Sequence, residues 1–145
     1  AHVTTGHLTG IDYSATSVQT SRQTNAAAIA AGKMEIYEGS VEKLPFPDGS
    51  FDKITTVESF YFWPDPPENL KEVCRVLKPD GTFLLIAEIY ERPDLSPETR
   101  ENIQHYHLYN PTPETFESLF RKAGFTTVKV HIEPKEKWIC VEGRK

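Results

Sequence analysis

Five short groups of residues in this sequence combine side chains able to do chemistry. Asp12 follows Leu8-Thr-Gly-Ile, which reads as a short strand. Open α/β sheets bind ligands beyond the carboxyl ends of their strands. A carboxylate there can accept both hydroxyls of a ribose, or it can form the turn that caps the next helix. Tyr13 can lie against an adenine ring or pack as a plain aromatic. Gly39-Ser40-Val41-Glu42 forms a turn after a second strand. Thr56-Val57-Glu58 ends a third, where Glu58 can point into a cleft or cap a neighbour. Ser59 to Trp63 is unusually aromatic for a loop. Such faces attract cations and line pockets, or they plug the space under the following helix; Phe60 and Tyr61 are expected to face the cleft. His105, Tyr106, His107 and Tyr109 form the last group. His105 or Tyr109 can take a proton from an acceptor hydroxyl, and the segment can equally be a polar-aromatic helix lying over the cleft. His105 and His107 lack the i, i+4 spacing of a metal pair on a helix face.

These residues need elements to hold them. Ser14 can cap a helix running to about Ala31 and stopping at Gly32, with Val18, Ala26 and Ile29 facing inward. Met34 to Glu38 alternates as an edge strand does. Gly39 to Ser50 is a loop rich in Pro and Gly. Asp52 to Val57 is a β-rich run. Asp65 with Glu68 has capping-box spacing and Pro66 suits the first helical position. Leu70, Val73, Cys74 and Leu77 then form a stripe, and Lys78-Pro79-Asp80-Gly81 stops the helix and turns the chain. Phe83 to Ala87 is continuously apolar, as a strand covered on both faces would be. Strand, helix, strand in this order predicts a βαβ unit of a parallel sheet. Ser96-Pro97 starts a helix to about Tyr106. Thr112-Pro113 starts another, closed by Gly124, with Phe116, Leu119, Phe120 and Ala123 as its stripe. Val128 to Ile132 and Trp138 to Val141 are joined too tightly for parallel pairing, so they predict an antiparallel hairpin. Residues 1–7 read as the tail of a helix ending at Gly6.

A chain of 145 residues can bury one sizeable core. Its net charge of −5, with both signs mixed, leaves no nucleic-acid footprint. No run is long enough to span a membrane. Cys74 and Cys140 each sit in an apolar run and read as free thiols, which suits a cytoplasmic protein.

The combination of Phe46-Pro-Asp-Gly-Ser-Phe-Asp52, the strand after it, Asp65-Pro66 and Leu70-Lys-Glu-Val-Cys-Arg-Val-Leu-Lys-Pro-Asp-Gly81 resembles the class I S-adenosylmethionine-dependent methyltransferases. The similarity is to the subgroup with small-molecule, lipid and ubiquinone/menaquinone-type acceptors, and it runs from about Gly10 to the end. It implies a Rossmann-like α/β fold: a mostly parallel sheet, helices on both faces and a C-terminal antiparallel hairpin, in strand order 3-2-1-4-5-7-6. It implies S-adenosylmethionine as cofactor, with Asp12 on its ribose, Tyr13, Ser40 and Val41 around adenine, and Thr56, Val57 and Glu58 near the methionine moiety. The family commonly has an acid where Ser40 stands. Phe60, Tyr61 and Tyr106 would contact a small-molecule acceptor.

The family's first strand and its Gly-rich loop normally precede a strand such as Leu8 to Asp12. Gly6 and Gly10 do not make that loop, and the chain opens on Ala1 rather than Met. Residues 1–145 are therefore expected to form a single, N-terminally incomplete methyltransferase domain. Its bare strand edges would favour self-association. Two further readings stay open: a non-catalytic interaction module on a degenerate methyltransferase scaffold, and a dinucleotide-dependent oxidoreductase, against which the terminal hairpin and the Lys-Pro-Asp-Gly turn speak.

Overall fold

The computed structural model describes residues 5–145, which form two compact units, one ending at Pro45 and the other beginning at Phe46. Of the helix expected to end at Gly6, residues 1–4 lie outside the described residues.

The first unit pairs β1 (Leu8–Asp12) in parallel with β2 (Met34–Glu38), in register from Leu8↔Met34 to Asp12↔Glu38. Ser14 caps the intervening helix by accepting the Ser17 N–H. The expected single helix is two, α1 (Ala15–Thr24) and α2 (Ala26–Ala30). The break is at Asn25, whose side-chain amide and main-chain N–H both donate to the Ser21 carbonyl. An Asn that bonds the backbone locally competes with the helical ladder. Val18 is buried as expected, whereas Ala26 is exposed, because α2 turns away from the α1 stripe. Gly32 ends the helical segment at φ 67°, a left-handed conformation that favours glycine.

The second unit is a four-stranded sheet in the order β3 (Phe51–Val57), β4 (Leu77–Ala87), β6 (Trp138–Arg144), β5 (Thr127–Glu133). β3 and β4 are parallel, and both pairings of β6 are antiparallel. With the first strand omitted, the order within each sheet matches the one the resemblance implies. α3 (Pro66–Val76) connects β3 to β4, and the Asp65 carboxylate accepts the Glu68 N–H as an N-cap should. The return bond comes from Asn69 rather than Glu68: the buried Asn69 side chain accepts the Asp65 N–H at 3.1 Å, while Glu68 pairs with Lys71. α4 (Pro97–His105) and α5 (Pro113–Ala123) start at the expected Ser96 and Thr112 caps, and Gly124 closes α5 at φ 109°.

Lys78 to Gly81 bulges out of the β3–β4 ladder, since Phe51 pairs with Leu77 but Lys53 with Thr82. Asp80 sits at φ 64°, and a Cβ on Gly81 would lie 2.8 Å from the Lys78 carbonyl oxygen. The tetrapeptide thus turns the chain inside a strand rather than before it. The Phe46 to Asp52 motif is fastened to the end of α3. Arg75 bonds the Phe46 carbonyl and the Asp48 carboxylate, the Gly49 N–H donates to the Arg75 carbonyl, and Lys78 pairs with Asp52.

The core of this unit is aromatic. Phe83 of β4 stacks near Phe120 at 5.4 Å and Phe125 at 6.0 Å, with Trp63 at 6.4 Å. Along β4, Phe83, Leu85 and Ala87 are fully buried while Leu84 and Ile86 are half-buried. One face is sealed and the other only partly covered, contrary to the expected double burial.

Candidate functional site

In the first unit, Asp12 ends β1 with its carboxylate half-buried. Oδ1 accepts the Ser14 N–H at 2.8 Å, a turn that leads into α1. Oδ2 has no partner among the described residues. The turn reading of Asp12 is therefore met at one oxygen, while the other is left without a partner among the described residues. The Asp12 carbonyl accepts the Gly39 N–H at 2.9 Å, which brings the turn after β2 beside it. Gly39 is needed there, because a Cβ would lie 2.9 Å from Ile11 Cδ1. The Ser40 hydroxyl is not free: it bonds the Glu42 carboxylate at 2.9 Å and also lies 3.2 Å from the Glu42 N–H. Ser40 thus holds a carboxylate at this turn through Glu42. The half-buried Val41 has a main-chain N–H without a partner among the described residues. Tyr13 is 80% exposed, so its ring is available. A carboxylate oxygen, a free amide donor, a second carboxylate and an open aromatic ring within one strand-end cluster are the groups that an adenosine can use.

In the second unit, β3 ends in a tightly bonded knot. The Thr56 and Ser59 hydroxyls bond each other. Val57 is 55% exposed, unusual for an apolar strand residue. Glu58 has a left-handed φ of 54°, uncommon for a residue with a side chain. Its Oε1 accepts the Glu88 N–H at 2.6 Å and its Oε2 accepts the Tyr61 hydroxyl at 2.8 Å. Both oxygens are therefore engaged. Burial, then the bond to Glu58, raises the Tyr61 pKa far above its ordinary value, so Tyr61 stays a donor across the working pH range.

The aromatic segment is divided differently from the expectation. Residues Phe60–Phe62 form a short 3-10 turn. Phe60 is fully buried among Trp63, Tyr109 and Phe116, with ring centroids 5.1 to 5.9 Å away. It is a core residue packed against α5 rather than a ring facing the cleft. Tyr61 is also buried, and the ring that reaches solvent is Phe62, at 61% exposure.

His105 and Tyr106 end α4 with their rings edge to face at 4.6 Å, and both are exposed. His107 takes φ 52° and turns the chain back. Tyr109 returns to the knot: its N–H donates to the Tyr61 carbonyl at 3.1 Å, its ring lies against Phe60, and burial raises its pKa. The structure therefore joins Glu58, Tyr61 and Tyr109, and it leaves His105 and Tyr106 on the adjoining surface. Sequence reasoning missed Phe62 and the Glu88 N–H. The i, i+3 spacing of Glu58 and Tyr61 would have hinted at their bond, but nothing local marks Glu88. Among the described residues no cluster of His, Cys, Asp and Glu could hold a metal ion, and Cys74 and Cys140 are free.

A surface groove of about 590 Å³ opens elsewhere in this unit, lined by Tyr90, Pro93, Pro113, Ile132, Pro134 and Lys137 among others. None of the residues singled out above lines it. Its rim carries Asp94 between Arg92 and Lys137, and the neighbouring lysine holds the Asp94 carboxyl below its usual range.

Residues 1–85 match the family described as "Methyltransferase domain". Among curated proteins, the chain is 34% identical to 2-methyl-6-phytyl-1,4-hydroquinone methyltransferase 1, chloroplastic, of Oryza sativa subsp. japonica, over 92% of this chain and 38% of that protein. It is 30% identical to demethylmenaquinone methyltransferase of Lactococcus lactis subsp. lactis, over 86% of this chain and 58% of that protein. The chain spans about a third of the length of the plant relatives it matches. Among solved structures, a SAM dependent methyltransferase from Aquifex aeolicus superposes with a TM-score of 0.72 at 21% identity, over 96% of this chain and 69% of that one. The [4+2]-cyclase SpnF superposes at 0.76 with 16% identity, over 97% and 66%. The likeness to a cyclase shows that the fold by itself does not specify the reaction. No helix of the described residues is long and apolar enough to cross a membrane. The sequence match over more than half of the chain, with the α/β fold beneath it, establishes that this chain belongs to the methyltransferase domain family.

Proposed function

We propose that this chain serves methyl transfer from S-adenosylmethionine to a small-molecule acceptor, with both units parts of one methyltransferase domain. The observation that carries the reading is the strand-end cluster of the first unit, where the open Oδ2 of Asp12 and the unpartnered Val41 N–H sit on neighbouring strand ends. These residues fit the nucleoside end of that cofactor. Asp12 accepts from the ribose hydroxyls while the Ser14 N–H holds its other oxygen in place. The Val41 N–H donates to a ring nitrogen. Glu42, held by Ser40, accepts from the exocyclic amine, a task to which a carboxylate is better suited than a hydroxyl. Tyr13 covers the ring face.

When bound, the cofactor supplies a methyl group on a sulfonium, already a good leaving group. The protein's part is then mainly alignment. Glu58 acts through its neighbours, because both of its oxygens are engaged. Phe62 and Tyr106 offer exposed rings to the acceptor, with Phe60 supporting them from the core. Tyr109 remains protonated at neutral pH, so in this reading it donates a hydrogen bond and His105 receives the acceptor's proton.

The names of the plant and bacterial relatives specify a phytyl-hydroquinone and a demethylmenaquinone as what those proteins methylate. On that support we take a substituted hydroquinone as the acceptor class. The test is methyl transfer by the intact protein from S-adenosylmethionine to a panel of alkylated hydroquinones, read by mass spectrometry. A product heavier by one methyl group is expected. Cofactor binding without product on any of the panel would remove the hydroquinone class, and no cofactor binding at all would remove the enzyme reading.

A further inference from the structure

Three segments distant in sequence meet at one carboxylate. Glu58 Oε1 holds the Glu88 N–H just beyond β4, and Oε2 holds the Tyr61 hydroxyl in the aromatic turn. The Tyr61 carbonyl in turn holds the Tyr109 N–H of the segment returning from α4. The Glu58 N–H donates to the Ile86 carbonyl at 3.0 Å, which fixes the main chain from which the carboxylate reaches. The residue adopts a left-handed φ at that point. Phe60 already anchors the turn in the aromatic core with 1% exposure. What Phe60 leaves undetermined is the orientation of the residues around it, and those are the ones that Glu58 and Tyr61 hold.

We propose that Glu58 is a positioning residue. Its carboxylate clamps the Phe60–Phe62 turn and, through Tyr61, the return at Tyr109, so that the exposed rings of Phe62 and Tyr106 keep one arrangement toward the methyl acceptor. The inference rests on the methyltransferase reading for its functional half. A carboxylate suits the task because its two oxygens accept two bonds at once and neither has to donate. The bond to Tyr61 is part-buried, where a charge-assisted bond is screened less by water, while the bond to the Glu88 N–H is exposed.

The test compares the intact protein with Glu58→Gln, Tyr61→Phe and Glu88→Ala. Glu88 gives the clamp its main-chain N–H while its side-chain charge acts on Tyr61, so Glu88→Ala, which keeps that N–H, should leave exchange at the Tyr109 amide within about twofold of the intact protein. In Glu58→Gln, hydrogen exchange at the Glu88 and Tyr109 amides should rise together by about tenfold as the local opening becomes easier. The acceptor KM should rise by about tenfold through misalignment of the acceptor-side rings. The dissociation constant of S-adenosylhomocysteine by calorimetry should stay within about twofold, because the groups proposed for its adenosine, Asp12, Val41 and Glu42, are not part of the clamp. Tyr61→Phe keeps the ring and the fold, and should give the same pattern at smaller size. A merely structural role would lower the melting temperature and move both ligands together. Unchanged exchange at Tyr109 in both clamp variants, or parallel losses of acceptor and cofactor affinity, would overturn the clamp. If the unchanged protein neither binds the cofactor nor transfers methyl, the methyltransferase reading fails instead, and the exchange data still decide whether the clamp exists.

Discussion

Between residues 5 and 45, Val18 and Leu44 are the buried hydrophobic side chains, whereas the segment from Phe46 onward buries Phe60, Phe83, Phe116, Phe120 and most of the remaining core. The first unit is a two-stranded parallel sheet with two short helices, held largely by main-chain bonds and caps. A two-stranded sheet with so little apolar burial is marginal by itself. The second has four strands, two well-stripped helices and a stacked aromatic interior. The difference bears on function. The residues proposed for an adenosine belong to the thin unit, where open hydrogen-bonding groups remain. The residues proposed for an acceptor belong to the dense one, where packing can hold rings in place. A ligand bound at those strand ends would stabilise the thin unit by mass action.

The comparison is broken most directly by cutting into the dense core. Phe83→Ala removes the ring stacked near Phe120 and Phe125, and urea unfolding should show a loss of about 3–5 kcal/mol. Val18→Ala should cost only about 1 kcal/mol and leave the near-ultraviolet signal of the aromatic core intact. Equal losses would mean that the two units do not differ in the way described. Next in size is Gly143→Ala. A Cβ there would lie 2.6 Å from the Phe120 ring and 2.8 Å from Phe125, both in the core. A loss of about 1–3 kcal/mol is expected from the forced shift, and a neutral result would show the core to be looser than its geometry implies.

The third prediction uses pH. The folded state raises the Tyr61 pKa above its ordinary value of about 10. A raised phenol contributes stability that is fully present below the unfolded pKa and is lost as pH climbs through the folded one. Unfolding free energy should therefore fall progressively as pH rises above about 10. Tyr61→Phe should make that part of the curve less steep, with Tyr109 supplying part of the remaining fall, and an unaltered slope would remove Tyr61 from the account.

Several of these features were legible in the sequence for identifiable reasons. α3 and α5 carry Asp or Thr caps, Pro at the first position, clear stripes and, for α5, a terminal Gly. Each local signal agrees with the tertiary packing, so the elements fall where expected. The Ala-rich segment after Ser14 has no such agreement: its weak stripe left Asn25 free to divide it. The capping box at Asp65 was visible, but its reciprocal partner is Asn69, because Glu68 finds Lys71 instead. Phe60 was assigned to the cleft side because a local run of aromatics does not reveal which ring the core claims; Phe116 and Tyr109 decide that, from more than 45 residues away. Glu58 was recognised as a strand-end acid, yet its binding to the Glu88 N–H depends on the β3–β4 register and could not be read locally. In the first unit, the loss of an acid at Ser40 was legible, whereas its replacement by the Glu42 carboxylate emerges only from the folded turn.

The central claim is that the first unit's strand ends hold the adenosine of S-adenosylmethionine, and calorimetric titration with S-adenosylhomocysteine tests it most directly. The intact protein should bind, and Asp12→Ala should bind at least about tenfold more weakly, the loss expected when a paired hydrogen bond to a charged group is removed. The Asp12→Ala fold should persist, since only the Ser14 turn bond is lost with the side chain. Equal affinity in the two proteins, or no binding by a folded wild type, would contradict the account.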